Sequence, residues 1–239
     1  MRTITKKIKK LIFDYRYFSP SFSQAGEDMI LRNLFSKIQD GFYVDVGAYH
    51  PTIGSNTYFL QRFKGWRGIN IEPNPEQIHL FKKARPNDIN LNVGISTKSE
   101  KLNYYILKKG ASTMNSFSLD FLKKIGLENS IEKTVEVQTR PLQDVLKEHL
   151  PDNKSIDLLD IDVEGFDLEV LQSNDWDKYR PKSVMVEIDV DGFETSPVDK
   201  FLRDLGYKIV AMTPVSTQIN MSCIYFDSEL YKTYQNYIY

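Results

Sequence analysis

Short apolar runs alternate with amphipathic stretches of helical period along most of the chain. Residues 27–38 set Leu31, Leu34, Phe35 and Ile38 at the i, i+3, i+4, i+7 spacing of one helix face, and Gly41 ends that run. Residues 42–46 read as a first strand. A helix follows over about 55–63, with Ser55 or Asn56 as its N-cap and Gly65 as its stop. Residues 67–71 read as a second strand, halted by Pro73 and Pro75. Pro75 suits the first position of a helix continuing over 76–84. A third strand is expected over 88–95.

The alternation breaks in the middle of the chain. Residues 102–107 and 134–139 read as extra strands around a stretch rich in Ser, Thr and Asn (111–118) and a short helix (119–125). Pro141 opens a helix that reaches His149. Residues 156–163 read as a fully buried strand, with a helix over 166–173 behind Gly165. A further strand spans 183–188, and a helix over 197–205 puts Val198, Phe201, Leu202 and Leu205 on one face. The last strands, 208–212 and 222–226, suit an antiparallel hairpin. Strands alternating with helices imply a largely parallel sheet covered on both faces. Ligands of such sheets bind beyond the carboxyl ends of the strands.

Composition narrows this picture. A length of 239 residues suits one α/β domain, divided as a basic N-terminal segment (1–22) and a single domain (23–239). The net charge of −1 gives no reason to expect a nucleic acid or other polyanion as partner. The lone cysteine, Cys223, excludes a disulfide framework and points to a reducing, cytoplasmic setting, and its apolar surroundings make it a core residue. No stretch approaches the ~20 apolar residues of a membrane span. The N-terminus carries Arg2, Lys6, Lys7, Lys9 and Lys10 but lacks the apolar run of a signal peptide. Ile4, Ile8, Leu11, Ile12 and Tyr15 lie at helical spacing beside those charges. They suit a solvated basic helix or, as a sharper alternative, peripheral association with an anionic membrane surface.

Candidate chemistry gathers where strands end. After the first strand come Asp45, Gly47, Tyr49, His50 and Pro51, then Gly54, Ser55, Asn56 and Thr57. The second strand ends in Glu72, Pro73 and Asn74. Gly47 permits a tight turn and close approach of a ligand to the backbone. The following helix start offers N–H groups to an anion, and an acid ending the next strand can accept both hydroxyls of a ribose. Together these features suit an adenosine ligand. A nicotinamide-dependent oxidoreductase would need the G-x-G-x-x-G cradle of a pyrophosphate. Here only Gly47 is in place, and the next glycine is Gly54. S-adenosylmethionine has no phosphate. Its carboxylate suits the N–H groups of the loop, and its ammonium and sulfonium suit Asp45. The plain alternative is a glycine turn beside a solvated glutamate.

The chain resembles the FkbM-type methyltransferases through several short pieces in order: Ser23-Gln24-Ala25-Gly26-Glu27-Asp28, Val44-Asp45-Val46-Gly47-Ala48, Ser55-Asn56-Thr57, Gly65-Trp66-Arg67-Gly68 running into Glu72-Pro73-Asn74-Pro75, Asn92-Val93-Gly94-Ile95, and Ile161-Asp162-Val163-Glu164-Gly165. The resemblance implies an α/β class I methyltransferase (Rossmann-like) fold, a seven-stranded mostly parallel sheet with helices on both faces. It also implies S-adenosylmethionine-dependent methylation of a hydroxyl, most often on a sugar, a polyketide-derived compound or a surface glycan. By position it assigns Asp45, Gly47, Ser55, Asn56 and Glu72, with Pro73 beside it, to the cofactor. Gly94 and Ile95 would lie near the adenine, and Gln24 would belong to a segment closing over the site. The sequence Tyr49-His50-Pro51 departs from the shorter loop common in the wider fold.

A sugar hydroxyl is a poor nucleophile, so a base or a metal should assist its methylation. His50 is the first candidate base, with capping of its own loop as the alternative reading. Asp162 and Glu164 are further candidates, as base or as groups that orient the acceptor. Asp162, Glu187 and Asp189, with Glu164 beside them, are candidate ligands for Mg²⁺, which prefers carboxylate oxygen. His79 and His149 fall on helices away from the strand ends and read as structural. Trp66 reads as core rather than as a sugar-stacking surface. Tyr231, Tyr234, Tyr237 and Tyr239 form either a docking surface or packing for their own domain. A non-catalytic binding protein on the same fold is the remaining alternative.

Overall fold

The computed structural model describes residues 19–189, 192–215 and 220–235. Its strands are β1 (Phe42–Val46), β2 (Arg67–Ile71), β3 (Ile89–Leu91), β4 (Gly94–Ile95), β5 (Lys101–Leu107), β6 (Ile131–Arg140), β7 (Leu158–Ile161), β8 (Ser183–Asp189), β9 (Lys208–Pro214) and β10 (Asn220–Phe226). The helices between and around them are α1 (Glu27–Leu34), α2 (Tyr58–Lys64), α3 (Pro75–Ala84), α4 (Leu119–Lys124), α5 (Leu142–His149), α6 (Asp167–Gln172), α7 (Pro197–Asp204) and α8 (Ser228–Gln235).

Seven strands form the main sheet in the order β3-β2-β1-β7-β8-β10-β9. Parallel pairing runs from β3 to β8, and β10 enters antiparallel between β8 and β9. This is the seven-stranded, mostly parallel sheet that the resemblance implies, closed by the expected terminal hairpin. Chain order reverses between β1 and β7, so their carboxyl ends form the natural ligand crevice.

All five residues of β1 are buried, as a central parallel strand requires. Its pleat sends Phe42, Val44 and Val46 to one face, where they join Ile69, Ile71, Leu142, Val145, Val170 and Leu202. Tyr43 faces the other way, with Leu31, Phe35, Leu60, Trp66 and Leu158. Asp45 shares that second face by the same period. Trp66 is fully buried and donates its Nε1 hydrogen to Ile38 O at 3.4 Å, so it is a core residue. Cys223 is likewise buried in the first cluster.

Several boundaries differ from the sequence reading. α1 stops at Leu34 instead of 38, because the chain tightens into i+3 bonds from Ser36 N to Asn33 O and from Ile38 N to Phe35 O. α2 begins at Tyr58, and neither Ser55 nor Asn56 caps it. The Ser55 hydroxyl instead accepts from Arg85. The single strand expected over 88–95 is two. The Asn92 amide donates to Glu72 O at 2.9 Å and to Pro73 O at 2.8 Å, pinning the chain at the sheet edge. Beyond that anchor β4 leaves the main sheet and pairs with β6, forming a second, three-stranded sheet in the order β4-β6-β5.

No helix among the described residues is long and apolar enough to cross a membrane. The basic N-terminal segment and its proposed membrane contact fall mostly on residues 1–18, outside the described residues, as do Tyr237 and Tyr239. Tyr234 packs edge-on against Phe226 with ring centroids 5.6 Å apart, and Tyr231 lies under Lys208 Nζ at 4.8 Å, so both serve their own domain.

Candidate active site

The carboxyl ends of β1, β2 and β7 open onto a cavity of about 370 Å³, inside the ~300–1,000 Å³ span of small-molecule sites. Asp45, Gly47, Glu72, Pro73, Asp160 and Asp162 contribute to its lining from the strand ends. Ser23 and Gln24 come from the segment before α1, while Gly54, Ser55 and Asn56 come from the loop after β1. Tyr104, Ser112, Thr113, Asn115 and Phe117 close the side nearest the second sheet.

Gly47 sets the distance between two of these strand ends. Its φ is +83°, and a Cβ there would lie 1.9 Å from the Asp162 carbonyl oxygen. No other residue type fits without displacing the end of β7.

Glu72 is 3% exposed and held on both oxygens: Oε2 accepts from Tyr49 N at 2.9 Å and Oε1 from Asn74 N at 2.7 Å. Each oxygen keeps a further lone pair for a donor in the cavity. Burial pushes the Glu72 carboxyl up to about 7, against the pull of those two N–H groups. Asp45 and Asp160 are direct neighbours across the β1–β7 pair. Burial raises both; the charge of Asp45 raises Asp160 further, and that of Asp88 raises Asp45. The Asp160 Oδ1 oxygen is shut off from solvent without a partner among the described residues. Two buried acids side by side, one with an orphaned oxygen, are satisfied by a cationic group arriving in the cavity.

Arg85, just past α3, organises the whole loop. It is completely buried. Its guanidinium donates to Pro51 O from Nη2 and from Nε at 3.0 Å, and to Tyr43 Oη, Thr57 Oγ1, Asn70 Oδ1 and Ser55 Oγ at 2.8–3.2 Å. Thr57 in turn donates to Asp45 Oδ2 at 2.6 Å, and Tyr43 to Asp88 Oδ2 at 2.7 Å. The charge of Arg85 thus reaches two carboxylates through hydroxyl bridges. Sequence reading missed it: a lone arginine closing a helix looks like an ordinary favourable charge at a C-terminus.

The other expected site residues divide. Gln24, Asp45, Gly47, Ser55, Asn56, Glu72, Pro73, Asp162 and Glu164 all line the cavity. Gly94 and Ile95 do not: the space beside Gly94 is filled by the Phe117 ring, 2.5 Å from where a Cβ would stand, and Ile95 belongs to the core. His50 does not line it either. Its Nδ1 accepts from Thr52 N at 3.2 Å and Ile53 N at 3.1 Å, so it caps its own loop. Burial and then Arg85 lower its pKa, favouring the neutral ring. Glu187 approaches Asp162 and Glu164 closely, whereas Asp189 turns to Lys124 at 2.6 Å. His149 meets Glu148 at 3.4 Å at the far end of α5. Tyr49 and Glu164, both on the cavity wall, hold left-handed backbone angles of +50° and +53°, a strain of the kind that clusters at functional sites.

The buried acids dictate a pH response. Glu72 is raised to about 7 and Asp167 to about 6, both chiefly by burial. The folded protein therefore holds protons that the unfolded chain, with ordinary carboxyls, has already released. Stability is fully present below the ordinary carboxyl range and is lost as pH climbs through the folded values. The melting temperature of the ligand-free protein should fall between pH 5 and about 7.5; a curve that rises over that interval would contradict the burial described.

A family model described as the methyltransferase FkbM domain matches residues 45–209. The chain is 32% identical over 196 residues to methyltransferase sdnD of Sordaria araneosa, covering 70% of this chain and 74% of the relative. Among solved structures it is similar to a TehB-like SAM-dependent methyltransferase from Corynebacterium glutamicum. That pair has 8% identity and a TM-score of 0.43, covering 95% of this chain and 100% of the other. It is also similar to a precorrin-6y C5,15-methyltransferase from Geobacter metallireducens, at 15% identity and a TM-score of 0.41, covering 88% and 94%.

Proposed function

Because the chain belongs to the FkbM methyltransferase family, and so is an S-adenosylmethionine-dependent methyltransferase of the class I fold, we propose that it methylates a hydroxyl oxygen of a sugar or glycan. The observation that carries this reading is the acid-lined cavity wall at Asp162 and Glu164, which adjoins hydrogen-bonding groups on Ser112, Thr113, Asn115 and Tyr104. Such a wall suits an acceptor with several hydroxyls and offers carboxylates to take up a proton.

The methyl donor fits the remaining groups. When bound, S-adenosylmethionine supplies a sulfonium methyl for in-line displacement by the acceptor oxygen. Glu72, preset by Tyr49 N and Asn74 N, would accept the ribose hydroxyls. Asp45 and Asp160, whose Oδ1 has no partner among the described residues, would face the positive end of the donor. Backbone around Gly47 and the segment Ser55–Asn56 would approach its carboxylate end. Gln24 covers the site from a segment tied to the loop by Ser55 N donating to Phe22 O at 2.9 Å.

On the acceptor side, burial and neighbouring acids hold Asp162 and Glu164 well above the ordinary carboxyl range. A carboxylate so raised is a stronger base toward a hydroxyl than a solvated one. It replaces His50, whose Nδ1 is committed to its loop. Aligning acceptor, methyl and sulfur contributes on the order of several kcal/mol to barrier lowering. The lone buried cysteine supports placing this chemistry in a reducing cytoplasm.

Incubation with methyl-labelled S-adenosylmethionine and a panel of hydroxyl, amine and thiol acceptors tests the reading. Label recovered as an O-methyl ether on a sugar is expected. Label recovered on nitrogen or sulfur, with the sugars untouched, would overturn it.

A further inference from the structure

We propose that Asp162, Glu164 and Glu187 form a binding site for a hard divalent cation at the acceptor end of the cavity. One carboxylate oxygen from each lies within 4.8 Å of the others. Oxygens on opposite sides of one ion stand about 4.2 Å apart around Mg²⁺ and about 4.6–5.2 Å apart around Ca²⁺, twice the metal–oxygen distance. The three groups therefore already converge to within about the span of a single coordination sphere. An all-oxygen donor set selects Mg²⁺, Mn²⁺ or Ca²⁺ over softer metals.

Hydrogen bonding within the cluster points the same way. Glu164 Oε2 is shut off from solvent and has no partner among the described residues. Neighbouring acids in the same pocket are already spoken for. The Asp167 carboxylate accepts from Gly165 N at 3.2 Å and Val163 N at 3.4 Å, and Asp189 pairs with Lys124 at 2.6 Å. Glu187 accepts from the Asn220 amide at 3.1 Å through Oε2. No lysine or arginine pairs with Asp162, Glu164 or Glu187 among the described residues. Three converging carboxylates, one buried and two half-buried, are costly without a counter-charge, and a divalent cation removes that cost. The ligand set differs from the one expected from sequence in that Glu164 takes the place of Asp189.

The site also has an opening. Asp162 and Glu164 line the main cavity, so coordination positions left by the protein face the acceptor. The role there rests on the hydroxyl-transfer reading: an ion in this place would hold and acidify an acceptor hydroxyl.

The test uses the full chain, stripped with EDTA and dialysed, and titrated with Mn²⁺ while free Mn²⁺ is followed by electron paramagnetic resonance. One saturable site is expected. Glu164→Gln and Glu187→Gln should each weaken it at least tenfold, and Asp189→Asn should leave it unchanged. In thermal denaturation Mn²⁺ should raise the melting temperature of the wild type. Glu164→Gln, with one acid fewer in the crowded cluster, should be at least as stable without metal and should gain little from Mn²⁺. No saturable Mn²⁺ binding by the folded wild type would overturn the site, as would wild-type affinity in both glutamine variants. Tight Mn²⁺ binding without methylation of any hydroxyl would sink the acceptor reading and leave the site standing. Full hydroxyl methylation in EDTA without Mn²⁺ binding would do the reverse.

Discussion

Replacing Arg85 by methionine is expected to lower stability by about 3–5 kcal/mol, the usual cost of stripping a buried charge network of one partner. Methionine fills much of the same volume but donates nothing. Pro51 O, Ser55, Thr57 and Asn70 would lose their shared donor, and Asp45 would stay buried near Asp88 without the opposing cation. For a protein of this size each kcal/mol moves the melting temperature by about 2–4 °C, so a fall of roughly 6–20 °C should appear. Arg85→Lys keeps the charge but not the planar fork and should recover only part of it. Urea denaturation gives the energy directly, and a loss below about 1 kcal/mol, the scale of a single ordinary hydrogen bond, would contradict the account of Arg85 as the loop's hub.

The second large effect is at Gly47. Gly47→Ala should reduce affinity for S-adenosylhomocysteine by more than about 100-fold, roughly 2.7 kcal/mol. An alanine at φ +83° bears the left-handed penalty of about 1–2 kcal/mol. Its methyl group would also fall 1.9 Å from the Asp162 carbonyl oxygen. Relief requires the loop after β1 to lift away from β7. That motion carries Tyr49 N off Glu72 and moves the Gly47 backbone away from its place beside Asp162. The variant should remain folded, with the sheet intact, because the displaced loop lies beyond the last pair of the β1–β7 ladder. Calorimetry with S-adenosylhomocysteine reads the affinity, and a value within threefold of wild type would show that the close approach is unimportant.

Much of the site was legible because its signals are local. Asp45 lies at the end of a short apolar run closed by Gly47, and Glu72 ends another just before Pro73, so their place at a sheet's carboxyl rim follows from sequence. Arg85 was illegible because its partners, Tyr43, Pro51, Ser55, Thr57 and Asn70, come from two strands and the loop after the first of them. Nothing near Arg85 in sequence announces them. The run 88–95 has continuous strand character; only the Asn92 side chain, bonded to carbonyls from another strand, reveals the break. The preference for Glu164 over Asp189 in the proposed cation set turns on Lys124, which reaches Asp189 from a helix far earlier in the chain. The histidine at 50 looked catalytic by position, but position does not tell which way a ring turns. The far wall, Tyr104 and residues 112–117, was visible as extra strands and a polar stretch. Its role depended on Ser116 Oγ donating to Glu164 O at 2.7 Å, a tertiary contact.

The most direct test of the central claim is a calorimetric titration of the wild type and Glu72→Gln with S-adenosylhomocysteine. The wild type should bind at one site per chain. The glutamine amide would turn a donor toward Tyr49 N or Asn74 N and lose a charged acceptor worth about 1.5–3 kcal/mol, so its affinity should drop by about 10–100-fold. Equal affinity in the two proteins, or no saturable binding by the wild type, would contradict the placement of the methyl donor on the loop after Asp45.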